Sequence, residues 1–120
     1  MMIRDEKIKM YKEKETFVSE LSKVFETRSE STSVDWIDYE VWENEEHGWF
    51  VEYAVITFVG GGQSHISVNG NSILAIFQEI ADKIMGGYYK EEFTYRDLPK
   101  DGFKKLALWK ELRTNELYEA

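Results

Sequence analysis

The chain has 120 residues, 42% of them hydrophobic and 15% aromatic, with a formal charge of −8 and no cysteine. That is enough for a single α+β domain (residues 1–120) around one core and too aromatic for a disordered acidic tail, and it excludes disulfides and thiolate metal sites. No apolar run reaches the roughly 18 residues of a membrane span, and MMIRDEKIKMYKEKE lacks the apolar stretch of a secretory signal, so a cytoplasmic protein with no membrane partner is expected.

The charge is segregated. Residues 1–28 and 83–120 each sum to +1, whereas residues 29–82 hold ten Asp/Glu and no Lys or Arg. A field of one sign attracts cationic partners and repels phosphate, so direct nucleic-acid binding through the middle segment is not expected.

In chain order, residues 5–28 read as a helix, surest from Thr16, with Tyr11, Phe17, Val18, Leu21, Val24 and Phe25 near helical spacing; KIKMYK alternates and allows a short strand instead. SESTS, residues 29–33, reads as a polar connector. VDWIDYEVW is a strand with Ile37, Tyr39 and Val41 on one face and Trp36, Asp38, Glu40 and Trp42 on the other. ENEEHG is a turn, and WFVEYAVITFV, apolar on both faces apart from Glu52 and Thr57, suits a central strand. After Gly60-Gly61-Gly62, QSHISV completes an antiparallel meander. NGNSILAIFQEIADKIMGG is a helix capped by Asn71 or Ser72 and ended by Gly86, with Ile73, Leu74, Ile76, Phe77, Ile80, Ala81, Ile84 and Met85 as a wide apolar stripe. A last helix is predicted from Asp101, holding Phe103, Leu106, Trp109 and Leu112, just after the only proline, Pro99. The order is helix, three-stranded antiparallel β-meander, two helices, with the helices packed on one sheet.

No catalytic constellation is expected. Ser64 and His65 are neighbours on a strand and point to opposite faces, and His47 falls in a turn. The hairpin acids lack calcium-loop order, so no metal or other cofactor is expected. GGGQSHISVNGNS has neither the lysine-bearing phosphate loop nor a G-x-G-x-x-G pattern; Asn69-Gly70-Asn71-Ser72 reads as a helix-capping turn, with a small anion beside Tyr88 and Tyr89 as the functional alternative.

The main functional clue is residues 34–53, which carry Asp35, Asp38, Glu40, Glu43, Glu45, Glu46 and Glu52 without one Lys or Arg. Edge charges that block sheet-to-sheet pairing are the plain structural reading. Against it, like charges on nearby strand positions repel by roughly 0.2–1 kcal/mol per pair, a cost that a basic partner relieves. Trp36 and Trp42 beside Asp38 and Glu40 have the composition of an interface centre. The interface reading requires that cations from the two ends of the chain do not fold back onto these acids.

The element order, together with HISVNGNSILAIFQEIADKIMGGYY and the acidic YYKEEF that follows, resembles the small phage-encoded anti-CRISPR proteins that inhibit Cas9 by mimicking DNA. By position, Glu91 and Glu92 match acidic residues such inhibitors use. The loop between the second and third strands, acidic in that family, is Gly60-Gly61-Gly62-Gln63-Ser64 here, so mimicry would run through the first hairpin. The resemblance implies a non-enzymatic inhibitor acting in a host cell, with carboxylates standing in for phosphates against the Arg and Lys of a Cas9–guide RNA complex. The same charge also fits an immunity protein or antitoxin that neutralises a cationic nuclease toxin. A small-ligand sequestering protein centred on Asn69–Ser72 is the third class.

Overall fold

The computed structural model describes residues 4–85 and 102–110. Its elements are α1 (Arg4–Glu26), α2 (Ser29–Thr32), β1 (Val34–Asn44), β2 (Trp49–Phe58), β3 (Gln63–Ser67), α3 (Ile73–Met85) and β4 (Phe103–Lys105). The four strands form one sheet in the order β3-β2-β1-β4, with antiparallel pairing throughout. The architecture is α+β, as expected, but the sheet has a fourth strand.

α1 is helical through KIKMYK, so the strand alternative there is overturned. Asp5 and Glu6 in its first turn and Lys23 in its last complement the helix dipole, and no Gly or Pro interrupts its 23 residues. Its buried stripe is Ile8, Tyr11, Lys14, Val18 and Ser22. The stripe is therefore rotated from the one predicted: Val24 is exposed, and Phe17, Leu21 and Phe25 are half-buried at its margin. SESTS is not a plain connector, because Ser29–Thr32 forms a helical turn. Thr32 Oγ1 donates to the Arg28 carbonyl and accepts the Val34 N–H, and Ser33, at φ 62, turns the chain into β1.

β1 and β2 are the two interior strands. Opposite Ile37, Tyr39, Val41 and Glu43 stand Ile56, Ala54, Glu52 and Phe50, and this face lies under the helices. A bulge between Val34 and Trp36 leaves Asp35 outside the ladder. In α3 only Ile76, Ile80 and Ile84 are buried, a narrower stripe than predicted; Leu74 and Met85 face outward. Burying each isoleucine contributes about 1.5–3 kcal/mol. Ser72 Oγ accepts the Ala75 N–H at 3.2 Å and caps α3; Gly86 lies outside the described residues.

The last predicted helix is the main correction. Phe103–Lys105 is β4, in register with Asn44, Glu43 and Trp42 of β1, and helix begins only at Leu108. The periodicity of Phe103, Leu106 and Trp109 is genuine. The outward peptide groups of β1 offer a ladder, however, and the Leu106 N–H continues it onto the Val41 carbonyl at 2.9 Å. Tertiary pairing thus overrides a three-residue helical pattern. Asp101 and Leu112 lie outside the described residues.

Candidate functional site

Strand alternation sends the acids of the β1–β2 hairpin to two different places. On the helix side, Glu52 is almost wholly enclosed. Its Oε1 accepts from Lys14 Nζ at 2.8 Å and from the Tyr39 hydroxyl at 2.6 Å, and its Oε2 accepts the Gly70 N–H at 2.8 Å. One carboxylate thus ties α1, β1 and the β3–α3 turn together. Burial and the nearby Glu52 and Glu43 push the Tyr11 phenol up to about 12. Burial, then the hydrogen bond to Glu52, raises Tyr39 well above the ordinary phenol value. Glu43, also buried, accepts from Arg4 Nη1 at 2.8 Å.

On the outer side, Trp36, Asp38, Glu40 and Trp42 share one face, as the alternation predicts. Each indole bonds the acid two residues away: Trp36 Nε1 donates to Asp38 Oδ2 at 3.0 Å and Trp42 Nε1 to Glu40 Oε1 at 3.2 Å. Glu40 is buried and also receives Lys105 Nζ at 3.4 Å. At the turn, Lys104 Nζ meets Glu45 Oε1 at 2.6 Å, and this lysine holds the Glu45 carboxyl below its usual range.

The premise of an uncompensated hairpin therefore does not hold. Glu40, Glu43, Glu45 and Glu52 are paired with Lys105, Arg4, Lys104 and Lys14, all supplied from the two ends of the chain. Asp35, Asp38 and Glu46 remain exposed, and among the described residues none of the three is in an ion pair. Glu91 and Glu92 lie outside the described residues. The four cations were missed as site residues. Lys14 and Glu52 left a signal, since each is the one charge interrupting an otherwise apolar pattern. Lys104 and Lys105 left none once Phe103–Lys105 was read as helix.

Beside Asp38 lies a groove between the flank of α1 and the side of β1 turned away from β2. One part, about 480 Å³, is bordered by Ser19, Ser22, Glu26 and Trp36; the other, about 390 Å³, by Lys105, Ala107 and Trp109. Glu15, Asp38 and Tyr39 border both. Burial raises the Glu15 carboxyl above its ordinary value; Lys12 pulls it back most strongly, Asp38 adds to the rise, and Lys105 opposes it more weakly.

The alternative sites hold less. A cavity of about 490 Å³ between Lys7, Trp49, Phe50 and Gly70 borders the predicted anion turn. The Gly70 N–H there is already donated to Glu52, which places a carboxylate where an anion would sit. His47 stacks on Trp49 at 4.5 Å. Ser64 and His65 take opposite faces, facing Ile56 and Val55 in the register. Among the described residues no three His, Asp or Glu side chains cluster as metal ligands, and no helix is long and apolar enough to cross a membrane.

No protein-family model, curated protein or solved structure matches the chain.

Proposed function

We propose that this protein is a non-catalytic binding protein that engages a cationic protein surface at the outer side of β1, around Asp38. The observation that supports it is what remains after internal pairing. Asp38 is exposed beside an exposed Trp36, Glu15 approaches it from α1, and neither acid is in an ion pair with a described Lys or Arg. Asp38 makes Glu15 costlier to ionise on top of burial, and an incoming cation offsets that cost. Aromatic surface next to charge supplies the apolar share of an interface.

The proposal is narrower than a hairpin-wide DNA mimic. A row of phosphate-like charges needs free carboxylates; three of the seven are buried in ion pairs and a fourth, Glu45, is paired at the surface with Lys104. A nucleic-acid-binding surface of a Cas9-type effector remains the named partner, as an acidic patch meeting Arg and Lys rather than as a copy of a DNA backbone. The test is retention of a purified Cas9–guide complex, and of basic proteins from a host lysate, at about 50 mM and about 0.5 M salt. Capture at low salt, lost at high salt and lost with Asp38→Lys, is expected. Retention of no cationic protein at low salt overturns the proposal; failure with Cas9 alone removes that partner.

A further inference from the structure

We infer that the groove along the open edge of β1 is a docking site for an extended segment of the partner bearing two consecutive basic residues. This deepens the reading above and rests on it.

The edge is open over a defined length. The Ile37 N–H is taken by Ser22 Oγ at 2.8 Å, and the Val41 carbonyl accepts the Leu106 N–H, so the odd-numbered residues of β1 turn their peptide groups away from β2. Tyr39 lies between these two. β4 leaves the edge before reaching it, because Leu108 starts a helical turn, closed by the Lys110 N–H on the Ala107 carbonyl at 2.8 Å. Among the described residues nothing bonds the Tyr39 backbone on that side. An extended peptide adds to such an edge by main-chain hydrogen bonds, and its side chains alternate between the two faces.

The charge on those faces selects the occupant. Asp38 flanks the edge from the outer face and Glu15 from the helix side, and both border the whole groove. Successive side chains of an added strand point to opposite faces. Two adjacent basic residues would therefore place one cation at Asp38 and the next at Glu15; basic residues two apart would crowd one acid and leave the other bare. β4 provides an internal precedent: its adjacent Lys104 and Lys105 lie on the same edge of β1 and pair with Glu45 and Glu40. Trp36 and Trp109, both exposed, border the two parts and offer ring faces to a guanidinium or an aliphatic stem. Residues 86–101 and 111–120 contain no adjacent basic pair, which argues for a partner over this chain's own segments.

The test uses the full chain and two capped hexapeptides of identical composition, Thr-Val-Lys-Arg-Val-Thr and Thr-Lys-Val-Arg-Val-Thr, titrated at low salt and followed by amide and indole NMR shifts. The adjacent pair is expected to bind at least about fivefold tighter, moving the Tyr39 amide and the Trp36 and Trp109 indoles. Asp38→Asn and Glu15→Gln should each weaken it about tenfold, whereas Glu46→Gln at the hairpin tip should leave it unchanged. Equal affinity for the two peptides, or shifts centred on the hairpin tip, overturns the inference. So do concentration-dependent shifts at Tyr39 without peptide, which would make a second copy the occupant. If no peptide binds while a cationic protein is still retained at low salt, the inference falls and the functional reading stands. If neither binds, both fall.

Discussion

The two sides of the β1–β2 hairpin treat the same residue type in opposite ways. Inward, Glu52 and Glu43 are buried and answered by Lys14 and Arg4, and they serve as joints between α1 and the sheet. Outward, Asp38 and Glu40 each bond an indole, and Asp38 stays exposed with no cation from the described chain. A run of acids in a strand is thus two populations set by the two-residue period, and of the outward pair only Asp38 is left for a partner, because Glu40 is buried against Lys105.

The sharpest way to break the contrast is at Lys14. Removing one member of a buried pair leaves the other charge uncompensated, so Lys14→Met should destabilise the fold by about 3–5 kcal/mol in urea unfolding. Adding Glu52→Met and Tyr39→Phe, which removes the stranded charge and the hydroxyl that bonds it, should recover most of that loss. A single-substitution cost below about 1 kcal/mol would mean that water reaches Glu52.

Alkaline pH probes the same network by its phenols. Their folded-state values are raised, so the stability they confer is present below the ordinary phenol value of 10.0 and is lost as pH rises through the folded value, about 12 for Tyr11. The unfolding midpoint should therefore fall across that window, and tyrosinate absorbance should show Tyr11 and Tyr39 ionising only well above the ordinary phenol range or on unfolding. Tyr11→Phe should flatten the fall.

How much of this was open to reading in the sequence follows from where each signal is carried. The β1 and β2 faces were legible because alternation is local: Ile37, Tyr39 and Val41 against Trp36, Asp38 and Trp42 needs no partner to be seen. α3 was legible in place and type, while its buried width was not, because which of eight apolar residues meet the sheet depends on docking. β4 was not legible, since Phe103, Leu106 and Trp109 have helical spacing and Phe103–Lys105 became a strand only because β1 offered an edge. The same holds for the ion pairs. Charge segregation along the chain is a fact of sequence, but Arg4 reaching Glu43 across 39 residues is a fact of packing. Lys14 was the exception, because a lysine between Tyr11 and Val18 on a buried stripe calls for a buried acid, and Glu52 was the one acid in an apolar strand.

Smaller effects sharpen the contrast at its margin. Arg4 is half-exposed while its partner Glu43 is buried, so Arg4→Ala should cost about 1 kcal/mol, less than Lys14 because water reaches the carboxylate once the guanidinium is gone. Both members of the Lys104–Glu45 pair are largely exposed, and Lys104→Ala should leave the unfolding midpoint unchanged, measured alongside Arg4→Ala.

The smallest expected effect separates a supporting acid from a binding one. Glu15 has a raised carboxyl value because burial, with Asp38 adding to it, outweighs the opposing pull of Lys12 and Lys105. By linkage, a raised value means the folded state holds the proton more tightly than the unfolded chain does. The favourable contribution is present below the ordinary value of 4.5 and is lost as pH rises through the folded value, so at neutral pH ionised Glu15 opposes folding. Glu15→Gln should raise stability by a few tenths of a kcal/mol near pH 7, after discount for its exposure, and by nothing near pH 4. Asp38→Asn removes one of the charges that raise Glu15, so Glu15→Gln should gain less in the Asp38→Asn background than in the native chain. Both are the substitutions expected to weaken binding of the dibasic peptide. A fold that grows steadier as it loses its ligand keeps those acids at a cost to stability, as binding sites do, whereas acids kept for stability would move the other way in the same urea titration.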